Sequence, residues 1–65
     1  MTDVRKMFVD ITAAIEDLHG IALDGQASNL SPDVHFCLIV SISNGLTSLC
    51  EITKETRKAV MELQT

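Results

Sequence analysis

The groups able to do chemistry in this sequence are two histidines, His19 and His35, two cysteines, Cys37 and Cys50, and nine carboxylates spread along 65 residues. Structural metal sites draw ligands from close pairs such as Cys-x-x-Cys or His-x-x-x-His, and neither spacing occurs. His35 and Cys37 are two residues apart, which places them on one face of a strand but well apart around a helix. A metal held by them would have to be shared across a symmetric interface, and a solvated histidine near a helix start is the ordinary reading. Asp17, His19 and the serines form no nucleophilic triad, because no serine stands in an elbow or beside an oxyanion donor. The chain is also too short for a Rossmann or P-loop unit. The expectation is a non-enzyme, with no catalytic residue, no metal and no cofactor.

Charge narrows the partners. The net charge of -4 arises wholly before residue 34, where Asp3, Asp10, Glu16, Asp17, Asp24 and Asp33 face only Arg5 and Lys6. From residue 34 onward Glu51, Glu55 and Glu62 balance Lys54, Arg57 and Lys58. An acidic chain repels phosphates, and without tyrosine or tryptophan it has little to stack on bases, so nucleic acid is a disfavoured partner. A basic protein steered by Asp10, Asp17 and Asp24 fits better, although ordinary solubility also requires such acids. The opening MTDVRK lacks the apolar core and cleavage site of a signal peptide, so the expected setting is the reducing cytoplasm, with both thiols as small core residues.

The elements that must carry these groups read as two helices. Val4, Ile11 and Leu18 recur every seven residues, as do Met7, Ala14 and Ile21; Phe8, Ile15 and Ala22 widen the stripe. That spacing predicts a core-facing helix over about 3–24, with Thr2 and Asp3 as cap and first-turn acid and Gly25 as a left-handed stop. Gly20 weakens its last turns. GQASNL at 25–30 has no apolar period and is a connector, and Ser31-Pro32-Asp33 is a strong helix start. A second helix follows over about 32–63, with heptad rows through Leu38, Gly45, Ile52 and Ala59, through Ile42, Leu49, Thr56 and Leu63, and through Ile39, Leu46, Thr53 and Val60. Beyond Cys50, acids and bases three or four residues apart are placed to pair on the helix surface.

The first half of this helix is unusual, because the seventeen residues from Val34 to Cys50 carry no formal charge. A membrane span is disfavoured by their number and by interruption with His35, Ser41, Ser43, Asn44, Gly45, Thr47 and Ser48. A strand over 36–42 has the β-branched content and an Asn44-Gly45 turn signal, but no second strand to pair with. A helix is therefore expected, with a kink possible near Ser43-Asn44-Gly45. The first helix can cover only one of its faces. Val34, Phe36, Cys37 and Val40 are assigned to another molecule, together with the small-residue row of Cys37, Ser41, Gly45 and Ser48, which would let a helix approach closely.

A domain of this size buries only about 60% of the surface of its unfolded chain, so oligomerisation is the expected source of stability. The predicted fold is all-α, one domain over 1–65: a two-helix antiparallel hairpin assembling as a homodimeric four-helix bundle or similar helical oligomer. In length, helix number and heptad pattern the chain resembles the antiparallel helical-hairpin dimers, a likeness of architecture that transfers no function. The functional expectation is a cytoplasmic homo-oligomer that binds another protein and modulates its activity, as regulators, inhibitors, antitoxins and anti-activators do, without contact to a membrane. The alternatives are a dimeric nucleic-acid regulator using Lys54, Arg57 and Lys58, and a purely structural or assembly protein.

Overall fold

A computed structural model describes residues 3–64. Two helices fill it, α1 over Val4–Asp24 and α2 over Pro32–Gln64, folded back on each other as a hairpin. The uncharged stretch is helical throughout, including 36–42, so its backbone is satisfied within α2 and the strand alternative does not arise. The molecule measures 52 × 15 × 14 Å. A straight helix of 33 residues is about 48 Å long at 1.5 Å per residue. The long axis therefore has no room for a sharp bend at Ser43-Asn44-Gly45.

Caps explain where each helix begins. Asp3 is extended and accepts a 3.2 Å hydrogen bond from the backbone N–H of Lys6, so it is itself the cap of α1 and not a first-turn acid. The cap role considered for Thr2 lies outside the described residues. On α2, Ser31 Oγ accepts from the N–H of Val34 at 3.3 Å, with Pro32 at the first helical position. The end of α1 departs from expectation. Gly25 has φ −68° and ψ −13°, in the right-handed region. The helix closes instead by tightening: the N–H groups of Gln26 and Ala27 donate three residues back, to Leu23 and Asp24. His35 Nε2, 3.2 Å away, donates to the Gly25 carbonyl when it carries the proton, tying the first turn of α2 to the end of α1.

One close approach sets the register of the hairpin. A Cβ built on Gly45 would lie 2.5 Å from Leu18 Cδ2, so the two helices meet where one has no side chain. Stepping three and four residues at a time in opposite directions from this pair matches Ile21 with Ile42, Ala14 with Leu49, Ile11 with Ile52, Met7 with Thr56 and Val4 with Ala59. Four of these layers set a small residue against a large one, which keeps the helices close. Val4 stands level with Ala59 and Asp24 with Ile39, so α2 outruns α1 at both ends, by about a turn at its C-terminal end and by about two turns over 32–38, where the connector folds back against it. Half-buried Leu30 of the connector lies near the other end.

The seam is nevertheless thin. Thr56 and Ala59, at 4% and 8% exposure, are the only buried residues among those described, and no large side chain is fully buried. The Thr56 hydroxyl is satisfied by the Ile52 carbonyl at 2.8 Å. Along α2 the hydroxyls of Ser41, Thr47 and Thr53 likewise donate to carbonyls three or four residues back, so these polar residues bring no orphan donors to any surface they line. Among the described residues the salt bridge formed is on α1, Lys6 Nζ to Asp10 at 2.6 Å; the acids and bases spaced along 51–58 remain solvated and apart.

Candidate interaction surface

Heptad geometry gives each helix of an antiparallel pair two flanks beside its seam, and here the flanks differ in chemistry. One flank carries Phe8, Ile15 and Ala22 from α1 and Ile39, Leu46, Thr53 and Val60 from α2. Phe8, Ile15, Ile39 and Leu46 are 56%, 51%, 53% and 53% exposed, so this row is only half used by the hairpin. Shallow grooves open along it at both ends. One is lined by Phe8, Ile11, Thr56 and Val60, the other by Ala22, Leu38, Ile39 and Ile42.

The opposite flank carries Asp10, Asp17 and Asp24 from α1 beside Ser41, Ser48, Glu55 and Glu62 from α2. Asp10, itself paired with Lys6, and Glu55 line one depression together with Met7, Glu51 and Ile52 near the free ends of the hairpin. The three aspartates proposed to steer a partner thus fall on one line, all exposed.

The residues assigned to an interface from sequence are divided by the fold. Phe36, Cys37 and Val40 lie on the outward side of the first turns of α2, whereas Val34 falls in the row of Ser41 and Ser48, and all four are exposed. Ser41 and Ser48 stand on the acidic flank. Gly45 is half-buried under Leu18, so the helix it admits is α1 of the same chain. What sequence reasoning missed is the exposure of the third heptad rows, which read as a widening of one internal stripe. The usable signal was their width, since two helices alone can cover two rows each but not three.

Other candidate groups remain dispersed. Among the described residues no group of three or more His, Cys, Asp or Glu is placed to hold a metal ion. Glu16 and His19 do have the Glu-x-x-His spacing used inside di-metal bundles, but both are exposed on the outer side of α1. Cys37 and Cys50 are free and exposed, so neither is the core residue expected from sequence, since both fall outside the seam rows. Lys54, Arg57 and Lys58 gather with Met61 and Glu62 around a shallow depression on the outer side of α2. By length and composition α2 is also apolar enough to cross a membrane. No protein-family model, curated protein or solved structure matches this chain.

Proposed function

We propose that this chain is a non-catalytic helical hairpin that pairs with its own copy into a four-helix bundle and, in that form, binds a basic protein partner and modulates its activity. The observation carrying this reading is the contrast between flanks: large apolar side chains stay half exposed on one, while the other is lined by acids. Burial of apolar area gains roughly 25 cal/mol per Å², and a hairpin without one fully buried large side chain leaves most of that gain unrealised. A second copy on the apolar flank supplies it and leaves Asp10, Asp17 and Asp24 facing solvent, where charge steers encounter with a cationic surface.

A soluble, cytoplasmic protein belongs to the same reading. The uncharged half of α2 lies against α1, and the hairpin register brings Asp24 beside Ser41 and Asp17 beside Ser48. Carrying these carboxylates into a bilayer centre would cost several kcal/mol. The test is purification of tagged full-length protein from its own host, beside the variant Asp10→Lys/Asp17→Lys/Asp24→Lys. A protein retained by the wild type and lost from the variant, with oligomeric state unchanged in both, is the expected result. Equal retention by both, or a wild type that retains no protein, overturns the partner reading.

The gathering of Lys54, Arg57 and Lys58 favours a second reading, a nucleic-acid contact on the outer side of α2. It requires a salt-dependent mobility shift that charge reversal at these three positions abolishes.

A further inference from the structure

We infer that two copies of this chain meet end for end through the apolar flank, with Ile15 and Leu46 at the two-fold axis, so that α1 packs on the α1 of its partner and α2 on the other α2. This rests on the self-pairing proposed above and adds the face, the orientation and the residues at the axis.

Area comes first. The hairpin exposes 5241 Å², whereas a compact monomer of 7.1 kDa exposes about 4,100 Å². The excess of about 1,100 Å² exceeds the roughly 800 Å² that each partner contributes to a stable interface. The four half-exposed side chains of the apolar flank, at about 200 Å² each when fully exposed, supply on the order of 400 Å² of it. Ala22, Thr53 and Val60 extend the same flank.

Charge then selects the flank. Pairing through the other flank would bring Asp10 and Glu55 of one copy against the acids of the next, and like charges across an interface are strongly unfavourable. The apolar flank has no charge in its own rows, and the hydroxyl of Thr53 is already bonded to the Cys50 carbonyl at 2.8 Å.

Orientation follows from what borders that flank. Arg5 and Arg57 lie toward the free ends of the hairpin, and none of the residues 34–50 at the connector end of α2 is charged. With both copies pointing the same way, these cations would stand level with their own counterparts. End for end, Arg57 of each copy is about 33 Å from its counterpart along the bundle, far beyond the roughly 8 Å screening length. The same arrangement sets bulky Phe8 over small Ala22 and Ile39 over Thr53, evening the layers on either side of the axis.

The full-length chain with Cys37→Ser and Cys50→Ser, both exposed positions, serves as background for single-cysteine reporters. Under mild oxidation L46C is expected to form a disulfide with its own copy, while I39C alone does not and links only when refolded together with T53C chains. Had the copies pointed the same way, Leu46 would face the partner's Ile15, and L46C would link only to I15C chains. Light scattering at micromolar concentration should find a wild-type dimer that L46E weakens by at least tenfold and V40E, on the outer side of α2, leaves intact. If L46E does not fold, the disulfide pattern decides. A monomeric wild type overturns the self-pairing reading itself; a dimer that L46C fails to link, or that V40E rather than L46E dissociates, overturns only the face and orientation inferred here.

Discussion

Adding one methyl group at each of two helical glycines separates helix propensity from packing in this hairpin. Gly20 sits in the exposed side of α1, and a Cβ there meets nothing within 4 Å. Gly20→Ala should therefore yield the full propensity difference, about 0.8–1 kcal/mol of added stability. That corresponds to a Tm rise of about 4–8 °C for a cooperative unit of 60–100 residues, nearer 2–4 °C for one twice that size. Gly45→Ala has the same propensity gain, but its Cβ would stand 2.5 Å from Leu18 Cδ2 and 3.4 Å from Cγ. Ordinary carbon contacts lie near 3.5–4.0 Å, so the Leu18 side chain must swing away by about 1 Å or the helices must separate. Overpacking of this kind costs about 1–3 kcal/mol. The net effect of Gly45→Ala is thus between neutral and about 2 kcal/mol destabilising, and the two variants should differ by about 1–3 kcal/mol. Urea denaturation followed by far-UV circular dichroism, at one fixed protein concentration, measures both. Leu18→Ala in the Gly45→Ala background removes the obstructing atoms, so the double-mutant cycle should show favourable coupling of similar size. If both alanines stabilise equally, Gly45 is not the point of closest helix approach and the register built on it fails.

Further expectations concern the ends and the acidic flank. Ser31→Ala removes the acceptor for the Val34 N–H and should cost about 1 kcal/mol by the same denaturation assay, with Asp3→Ala similar for α1. Glu55→Lys places a cation in the depression that Asp10 lines; it should stabilise by up to about 1 kcal/mol at low salt, a gain that 0.5 M NaCl should erase. His35→Ala frees the Gly25 carbonyl, and amide hydrogen exchange should quicken across the connector while the middle of α1 is unchanged. Lys6→Met breaks an ion pair whose side chains are 65% and 49% exposed and should leave the urea midpoint nearly unmoved.

Helix identity was legible from residue types because it depends on local bonds and on spacing. Ser31-Pro32-Asp33 names a helix start wherever it occurs, and the rows through Val4, Met7 and Leu18 name the half-buried seam of α1. The stop at Gly25 was less legible. Glycine permits a left-handed turn without requiring one, and the tightened turns together with His35 satisfied the last carbonyls in another way. The candidate surface was half legible. Outward placement of Phe36 and Val40 follows from their absence from the seam rows, whereas Gly45 was counted with an external row of small residues although Leu18 occupies the space beside it.

From sequence alone came two helices, the Ser31 cap of α2, the acidic row of Asp10, Asp17 and Asp24, and an excess of apolar residues between Val34 and Cys50, since each depends on neighbours within a few positions along the chain. Which apolar row closes the hairpin and which stays exposed is a long-range matter. It is decided by the pairing of Leu18 with Gly45, where a missing side chain on one helix lets the other approach, and every flank of both helices turns with that choice.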